Sequence, residues 1–589
     1  MTAHDASNAS DVQGLAADTP DTHSLVRTDA DAPWLAHYDP DVPSHLDYPA
    51  EPLTSILDRA VQTTPNRTAI AFQNWHISYR HLREKAGRFA AGLRNLGIER
   101  GDRVAIMLPN LPQTLISYWG ALYAGATVVF VNPLYMETEL THILEDSGAK
   151  ALVVLDLLWA RHRRIISRSL VGRILVTRVS GCLGFPLNLL YRVKAWREGK
   201  LPSLDLDGGR VRDWKEAFAA RPLFETDFDP SNHLAILQYT GGTTGIAKGV
   251  MLTHGNLLAN VRQSRAILYS IGSSPEVFLG ILPYFHIYGL TVGVHFATAC
   301  GATVVPLPRF DPLATLKAIA RFKPTVFPGT PSVYMALLQQ KALPRYDLKS
   351  VRFCVSGSAP MPLEIMRRFA EVTEADIIEG YGLTEASPIT HLNPLSGKRK
   401  LGSIGLPFPD TMARVVDLGG GTVPLPPGEP GELIIKGPQV MSGYWKRPKE
   451  TAEVLEDGWL HTGDVAVMDD EGYFFIVDRK KDMIISGGYN IYPREIEEVL
   501  HTHPKVAEVA ALGVPHRTRG EVVKVFIVPK PGENVTREEI MAFCREKLAG
   551  YKTPRFVEIR EELPKTFVGK VLKRVLRDEH RMTEGSNPA

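Results

Sequence analysis

The stretch that decides the reading is Leu234-Ala235-Ile236-Leu237-Gln238-Tyr239-Thr240-Gly241-Gly242-Thr243-Thr244-Gly245-Ile246-Ala247-Lys248-Gly249. It opens on an apolar run typical of a buried strand. From Tyr239 on, it packs three threonines, four glycines and one lysine into eleven positions. Glycines let backbone N–H groups converge on an anion, hydroxyls add donors and the lysine supplies charge, which is what triphosphate binding requires. The Walker pattern G-x-x-x-x-G-K-[ST] does not fit, because Lys248 follows Ala247 and precedes Gly249 instead of a hydroxyl residue.

Working outward, helix-period stretches such as Tyr79 to Leu96 alternate with short apolar runs, Val104 to Leu108 and Ala151 to Leu155. That alternation predicts an α/β fold with βαβ-layered, largely parallel sheets. Beyond Gly402 the texture changes to short strands with Gly and Pro turns, as in Ala413 to Val416 and Glu432 to Lys436, which predicts a β-rich sublobe. After Phe475-Ile476-Val477 comes the charged run Asp478-Arg479-Lys480-Lys481-Asp482, followed by a compact α+β segment. The expected organisation is a flexible tail over 1–31, a large N-terminal domain over 32–480 and a small mobile α+β C-terminal lid over 481–589.

Composition narrows the function classes. A chain of 589 residues with 44% hydrophobic and 22% charged residues is globular and long enough for several packed lobes. Lys and Arg total 67 against 65 Asp and Glu, a balance that gives no bulk electrostatic reason to expect nucleic acid. The four cysteines are scattered without CxxC spacing, which argues against zinc or a disulfide framework and fits a reducing cytoplasm. The first 30 residues lack a basic and an apolar signal region, and the apolar stretches Ala121 to Phe130 and Leu290 to Ala299 are too short to span a bilayer. From Arg161 to Lys200 ten Lys and Arg residues stand among Ile, Leu, Phe and Trp, with Glu198 the sole acid. Such a segment suits either the surface of an anionic membrane, on its inner face, or a solvated flank over the core.

With the phosphate loop come, in order, Tyr381-Gly382-Leu383-Thr384-Glu385, Gly458-Trp459-Leu460-His461-Thr462-Gly463-Asp464, Asp478-Arg479-Lys480-Lys481, Pro564-Lys565-Thr566 and Gly569-Lys570. In these motifs the chain resembles the adenylate-forming superfamily of acyl-CoA synthetases, adenylation domains and luciferases, over about residues 45 to 578. It is most similar there to bacterial long-chain fatty-acid-CoA ligases, through Leu237 to Gly242, Asp457 to Asp482 and Tyr489 to Glu497.

The resemblance implies ATP, Mg²⁺ and coenzyme A as partners of a long-chain fatty acid, and a homodimer. It places Thr240, Gly241, Gly242, Thr243, Thr244, Gly245 and Lys248 on the ATP phosphates, and Thr384 and Glu385 beside Mg²⁺, a hard cation that takes carboxylate and phosphate oxygens. It assigns Asp464, which is expected to close Thr-Gly-Asp after a strand, to the ribose hydroxyls with Arg479 nearby, and Tyr381 with Gly382 to adenine, opposite a wall of Gly357, Ser358 and Ala359. His286, expected to follow an apolar strand in Leu282-Pro283-Tyr284-Phe285-His286, would stand beside the substrate carboxylate. Lys570 would act in adenylation, and Gly488 would approach the pantetheine after the lid rotates about Lys481. The alternatives are an aryl- or medium-chain acid-CoA ligase, a ligase that loads a carrier protein, and a non-catalytic nucleotide- or fatty-acid-binding protein.

Overall fold

The computed structural model describes residues 32–198, 206–240, 247–487, 489–566 and 570–585. The expected tail 1–31, the loop residues Gly241, Gly242, Thr243, Thr244 and Gly245, the hairpin residue Gly488 and the end of the basic segment at Lys200 lie outside them.

Two large sheets form the body. In the first, eight strands run in the order Gly443–Tyr444, Lys248–Thr253, Leu234–Thr240, Thr127–Phe130, Arg103–Met107, Ala151–Leu155, Arg173–Thr177, Val211–Asp213. All its pairings from Leu234–Thr240 onward are parallel, with Val104 opposite both Val128 and Ala151. Every residue of Ala151–Leu155 is buried, because helices cover both faces and remove the polar-out alternation of a one-sided strand. The second sheet has nine strands and centres on the parallel run Asp376–Gly382, Phe353–Ser356, Val326–Gly329, Val277–Gly280, Thr303–Pro306. The two share one continuous apolar core.

The expected helix after Tyr79 runs Tyr79–Asn95, and the Ser78 side chain accepts from the His81 N–H at its start. It ends at Gly97, whose φ of +83° suits a residue without Cβ. The expected β-rich sublobe is a five-stranded sheet built on Met412–Val416, Gly431–Lys436 and Trp459–Met468, to which Phe474–Arg479 is added. A short turn, Lys480–Asp482, leads into the last sheet, where Val506–His516 and Gly520–Pro529 form a long antiparallel pair with a core of their own. Among the described residues no helix is long and apolar enough to cross a membrane.

Three local expectations change. His286 follows a turn after the strand Val277–Gly280 and caps the helix Ile287–Leu290, so it begins a helix. Asp464 lies inside the strand Trp459–Met468, paired across to Arg479, and does not follow a strand. The basic segment is also more than one amphipathic stretch. The helix Asp156–Arg168 turns Trp159 and Ile166 into the core, and the strand Arg173–Thr177 is buried from Ile174 on.

Candidate active site

The phosphate loop joins two antiparallel strands, Leu234–Thr240 and Lys248–Thr253, with Thr240 directly opposite Lys248. A Walker loop runs from a strand into a helix; this one is a hairpin connection, which is why its lysine is followed by a strand glycine. Gly249 sits against the Tyr239 ring and Trp445, so a Cβ there would come within 3.2 Å of the Tyr239 ring. The Lys248 ammonium lies 5.1 Å from the centroid of Tyr444. The Tyr444 hydroxyl donates to Glu385 Oε1 at 2.8 Å, and the Glu385 carbonyl accepts from the Met441 N–H, also at 2.8 Å.

Tyr444 is a member of the site that the sequence reading missed. It stands 59 positions from Glu385 and no spacing marks it; only the pairing of Gly443–Tyr444 with the edge of Lys248–Thr253 brings it in. Thr384 and Glu385 sit in a single tight turn, Thr384–Ala386. Among the described residues no three His, Cys, Asp or Glu side chains converge as a metal cage. One carboxylate beside one hydroxyl suits a magnesium ion that takes its remaining ligands from phosphate oxygens and water.

A second cluster forms around Asp464, which is buried. Arg479 Nε lies 2.7 Å from Asp464 Oδ1, and the Tyr381 hydroxyl donates to Oδ2 at 2.6 Å. Burial first, and then the Asp464 charge, hold the Tyr381 phenol well above its usual range, so it stays a donor. An ionised carboxylate has about four acceptor positions, so Asp464 keeps capacity for further hydroxyls after these two bonds. Glu385 also acts through space on Arg479, which links the two clusters.

Gly357 and Ser358 form a turn in which Ser358 takes φ +70°. A Cβ on Gly357 would lie 3.3 Å from the Tyr288 ring. Tyr288 donates its hydroxyl to the carbonyls of Val355 at 2.7 Å and Gly329 at 3.2 Å, which stitches the His286 turn to the Gly357 turn. The Tyr288 N–H donates to His286 Nδ1 at 3.3 Å, leaving the ring proton on Nε2. Burial, and secondarily the charge of Lys570, push the imidazole down to about 4, so His286 is neutral at physiological pH.

Lys570 completes the site from the smaller lobe. It feels Arg479, Asp464, Lys481 and Asp482, and acts in turn on His286. Lys570 is exposed as a whole residue; the Arg479 guanidinium first, and then desolvation of the ammonium on its site side, lower it to about 8. Arg494 joins the lobe to the large domain: Asp478 Oδ2 accepts from its N–H at 2.7 Å, and its Nη1 donates to the Ile476 carbonyl at 2.6 Å. On either side of the junction, Arg577 lies 3.2 Å from Asp482 within the lobe, and Lys480 pairs with the buried Glu432 at 2.8 Å within the large domain. Glu432, Arg494 and Arg577 went unmarked in the sequence, where isolated charges of this kind read as solvated surface.

A Gly/Thr-rich hairpin loop ending in Lys248, a buried carboxylate with acceptor capacity to spare and a lysine on the smaller lobe suit a nucleotide-using enzyme. The chain belongs to the family of AMP-binding enzymes: that family's profile matches residues 57–445 and its C-terminal domain matches 495–570. It is 47% identical over 552 residues to a long-chain-fatty-acid–CoA ligase of Bacillus subtilis, covering 93% of this chain and 98% of that one. A ligase of the same name from Escherichia coli O157:H7 is 40% identical with the same coverage. A feruloyl-CoA synthase of an Amycolatopsis species is 37% identical, covering 87% of this chain and 96% of its own. Among solved structures, ATP-bound MatB from Rhodopseudomonas palustris superposes with a TM-score of 0.78 at 30% identity, covering 90% of this chain and 99% of its own. The anthranilate CoA ligase AuaEII in complex with anthranoyl-AMP gives 0.79 at 27% identity, covering 91% of this chain and 99% of its own.

Proposed function

We propose that this enzyme activates a long-chain fatty acid with ATP and transfers the acyl group to coenzyme A. The observation that carries the reading is full-length likeness to long-chain-fatty-acid–CoA ligases, joined to an assembled cluster of Asp464, Arg479 and Lys570. In the first half-reaction a carboxylate oxygen of the acid bonds to the α-phosphorus of ATP, and the bond to pyrophosphate breaks. In the second, the coenzyme A sulfur bonds to the acyl carbon, AMP leaves, and the thiol proton passes to the phosphate or solvent. Neither step needs a protein nucleophile, so catalysis lies in positioning and charge stabilisation.

Lys248 and the threonines of its loop, Thr240, Thr243 and Thr244, hold the phosphates. Magnesium, bound by Thr384 and Glu385, would neutralise phosphate charge. Asp464 accepts the ribose hydroxyls beside the Arg479 guanidinium, and Tyr381 faces adenine against Gly357, Ser358 and Ala359. Neutral His286 would stand beside the acid's carboxylate without trapping it as an ion pair. The Lys570 ammonium offsets the charge that gathers between carboxylate and α-phosphate. The lid over 481–589 then turns about Lys481, which withdraws Lys570 and brings Gly488 to the pantetheine.

The test is an assay of purified enzyme with MgATP, coenzyme A and acids from acetate to oleate, with coumarate and ferulate added. AMP and acyl-CoA rising together, with a maximum among long-chain acids, is the expected result. A hydroxycinnamate maximum would move the enzyme to the aryl branch. Acyl-adenylate without thioester would point to a carrier protein as acceptor. No turnover with any acid would overturn the catalytic reading.

A further inference from the structure

The helix Leu187–Arg197 is built the wrong way out for a soluble flank. Its inward face is small: Ala195 is buried and Leu187 and Tyr191 are half-buried. Turned to solvent are Leu189, Leu190, Val193 and Trp196, the last 71% exposed, and Phe185 just before the helix is 81% exposed. At 3.6 residues per turn Leu189, Val193 and Trp196 form one stripe, with Leu190 beside it. Arg192 and Lys194 bracket that apolar surface, Arg197 lies within it, and all three bases are exposed; the acid among them is Glu198, 3.9 Å from Lys194.

The helix is also firmly presented. The Gly184 N–H donates to Asn74 Oδ1 at 3.0 Å and Asn74 Nδ2 donates to the Phe185 carbonyl at 3.1 Å, pinning the entry of the helix to the turn between the strands Thr68–Phe72 and Trp75–Ser78. By contrast, the helix Asp156–Arg168 has its arginines out and Trp159 and Ile166 in, with Leu157 its one exposed large apolar side chain, as suits a solvated flank.

We infer that the helix Leu187–Arg197, with Phe185, seats this protein on an anionic phospholipid surface. The leucines, valine and tryptophan enter the acyl boundary, and Arg192, Lys194 and Arg197 meet the headgroup phosphates. Charge complementarity selects this occupant over a neutral surface: three bases ring an apolar face, the arrangement in which apolar burial and attraction to anionic lipid add. The inference deepens the long-chain reading, since an acid that partitions into bilayers is best collected at one, but its test needs no turnover.

Full-length protein without ATP or acid is sedimented with phosphatidylglycerol/phosphatidylcholine vesicles and with pure phosphatidylcholine vesicles. Wild type is expected to bind the anionic vesicles at low salt and the neutral ones weakly. The variant Leu189→Ser/Leu190→Ser/Trp196→Ser should lose about tenfold or more in partitioning, the scale of withdrawing three large apolar side chains from a nonpolar phase. Its pyrophosphate exchange with water-soluble octanoate should stay unchanged, since none of these residues lies in the site. Arg192→Gln/Lys194→Gln/Arg197→Gln should weaken binding and flatten its salt dependence. Absence of wild-type binding, or binding that survives the apolar substitutions, overturns the inference. So does a dimer that the apolar substitutions dissolve while vesicles are ignored, since the patch would then be covered by a second copy of the chain. An aryl-acid optimum in the substrate panel would sink the long-chain reading and leave the vesicle result standing.

Discussion

At the scale of single residues, the site's chemistry rests on where a few charges sit relative to one another. Lys570 is the sharpest case: its ammonium is lowered to about 8, first by Arg479 and then by desolvation, and the proposed role in adenylation requires the protonated form. The free enzyme's kcat/KM for adenylation should therefore fall by about tenfold per pH unit as pH rises above that value. In kcat the limb should move to higher pH, because bound triphosphate favours the charged lysine. Lys570→Ala should slow adenylation by roughly 10²- to 10³-fold, the usual loss of one charge-stabilising donor, and leave thioester formation from preformed acyl-adenylate nearly intact. Equal losses in both half-reactions would remove the assigned role. Tyr444→Phe deletes the hydroxyl that orients Glu385, a bond to a charged acceptor worth about 1.5–3 kcal/mol, so the Mg²⁺ concentration for half-maximal activity should rise about tenfold or more. A magnesium titration in pyrophosphate exchange reads this directly. Lys570 was legible because its motif is local in the chain, whereas Tyr444 acquires meaning only through a contact across the sheet edge.

At the scale of elements, the βαβ layering was readable from apolar runs and helix periodicity, since burial on both faces leaves a continuous hydrophobic signature. Strand order and pairing were not, because they depend on which runs meet after long crossovers. The three corrected positions share that cause. His286, Asp464 and the basic segment were assigned by neighbouring residues, and their true settings depend on a capped helix, a cross-strand pair and a buried face. Gly382 illustrates a constraint set by the element itself. A Cβ there would lie 1.9 Å from the Pro388 carbonyl oxygen, on the return strand Ile389–Leu392 side of the turn. Gly382→Ala should cost about 3 kcal/mol or more by overpacking, visible as a lower denaturation midpoint, and should displace Thr384 and Glu385 enough to weaken ATP binding.

At the scale of the whole molecule, the smaller lobe is docked so that Lys570 faces Arg479 and Asp464, the arrangement suited to adenylation. The polar contacts that cross to it include Arg494 with Asp478 and with the Ile476 carbonyl. Such an interface can be remade at modest cost, as alternation between two half-reactions demands. Lys481→Pro restricts φ at the pivot. It should leave adenylation within a few-fold of wild type and depress thioester formation by about a hundredfold, as misplacement of reacting groups does. Single-turnover measurements of each half-reaction separate the two; equal effects on both would place the pivot elsewhere.

The sequence by itself determined the α/β class, the β-rich sublobe and the place of a Gly/Thr-rich loop after a buried strand, because each is written in residues adjacent in the chain: periodicity, turn chemistry, and glycines with a lysine. Only the tertiary structure decided that the loop joins two paired antiparallel strands, that Tyr444 bonds Glu385 and Glu432 pairs with Lys480, that Lys570 comes within electrostatic range of Arg479, and that one basic helix shows its apolar face to solvent. Those facts depend on side chains far apart in the chain that share a few ångströms of space, and no local pattern of residues encodes a distance across a fold.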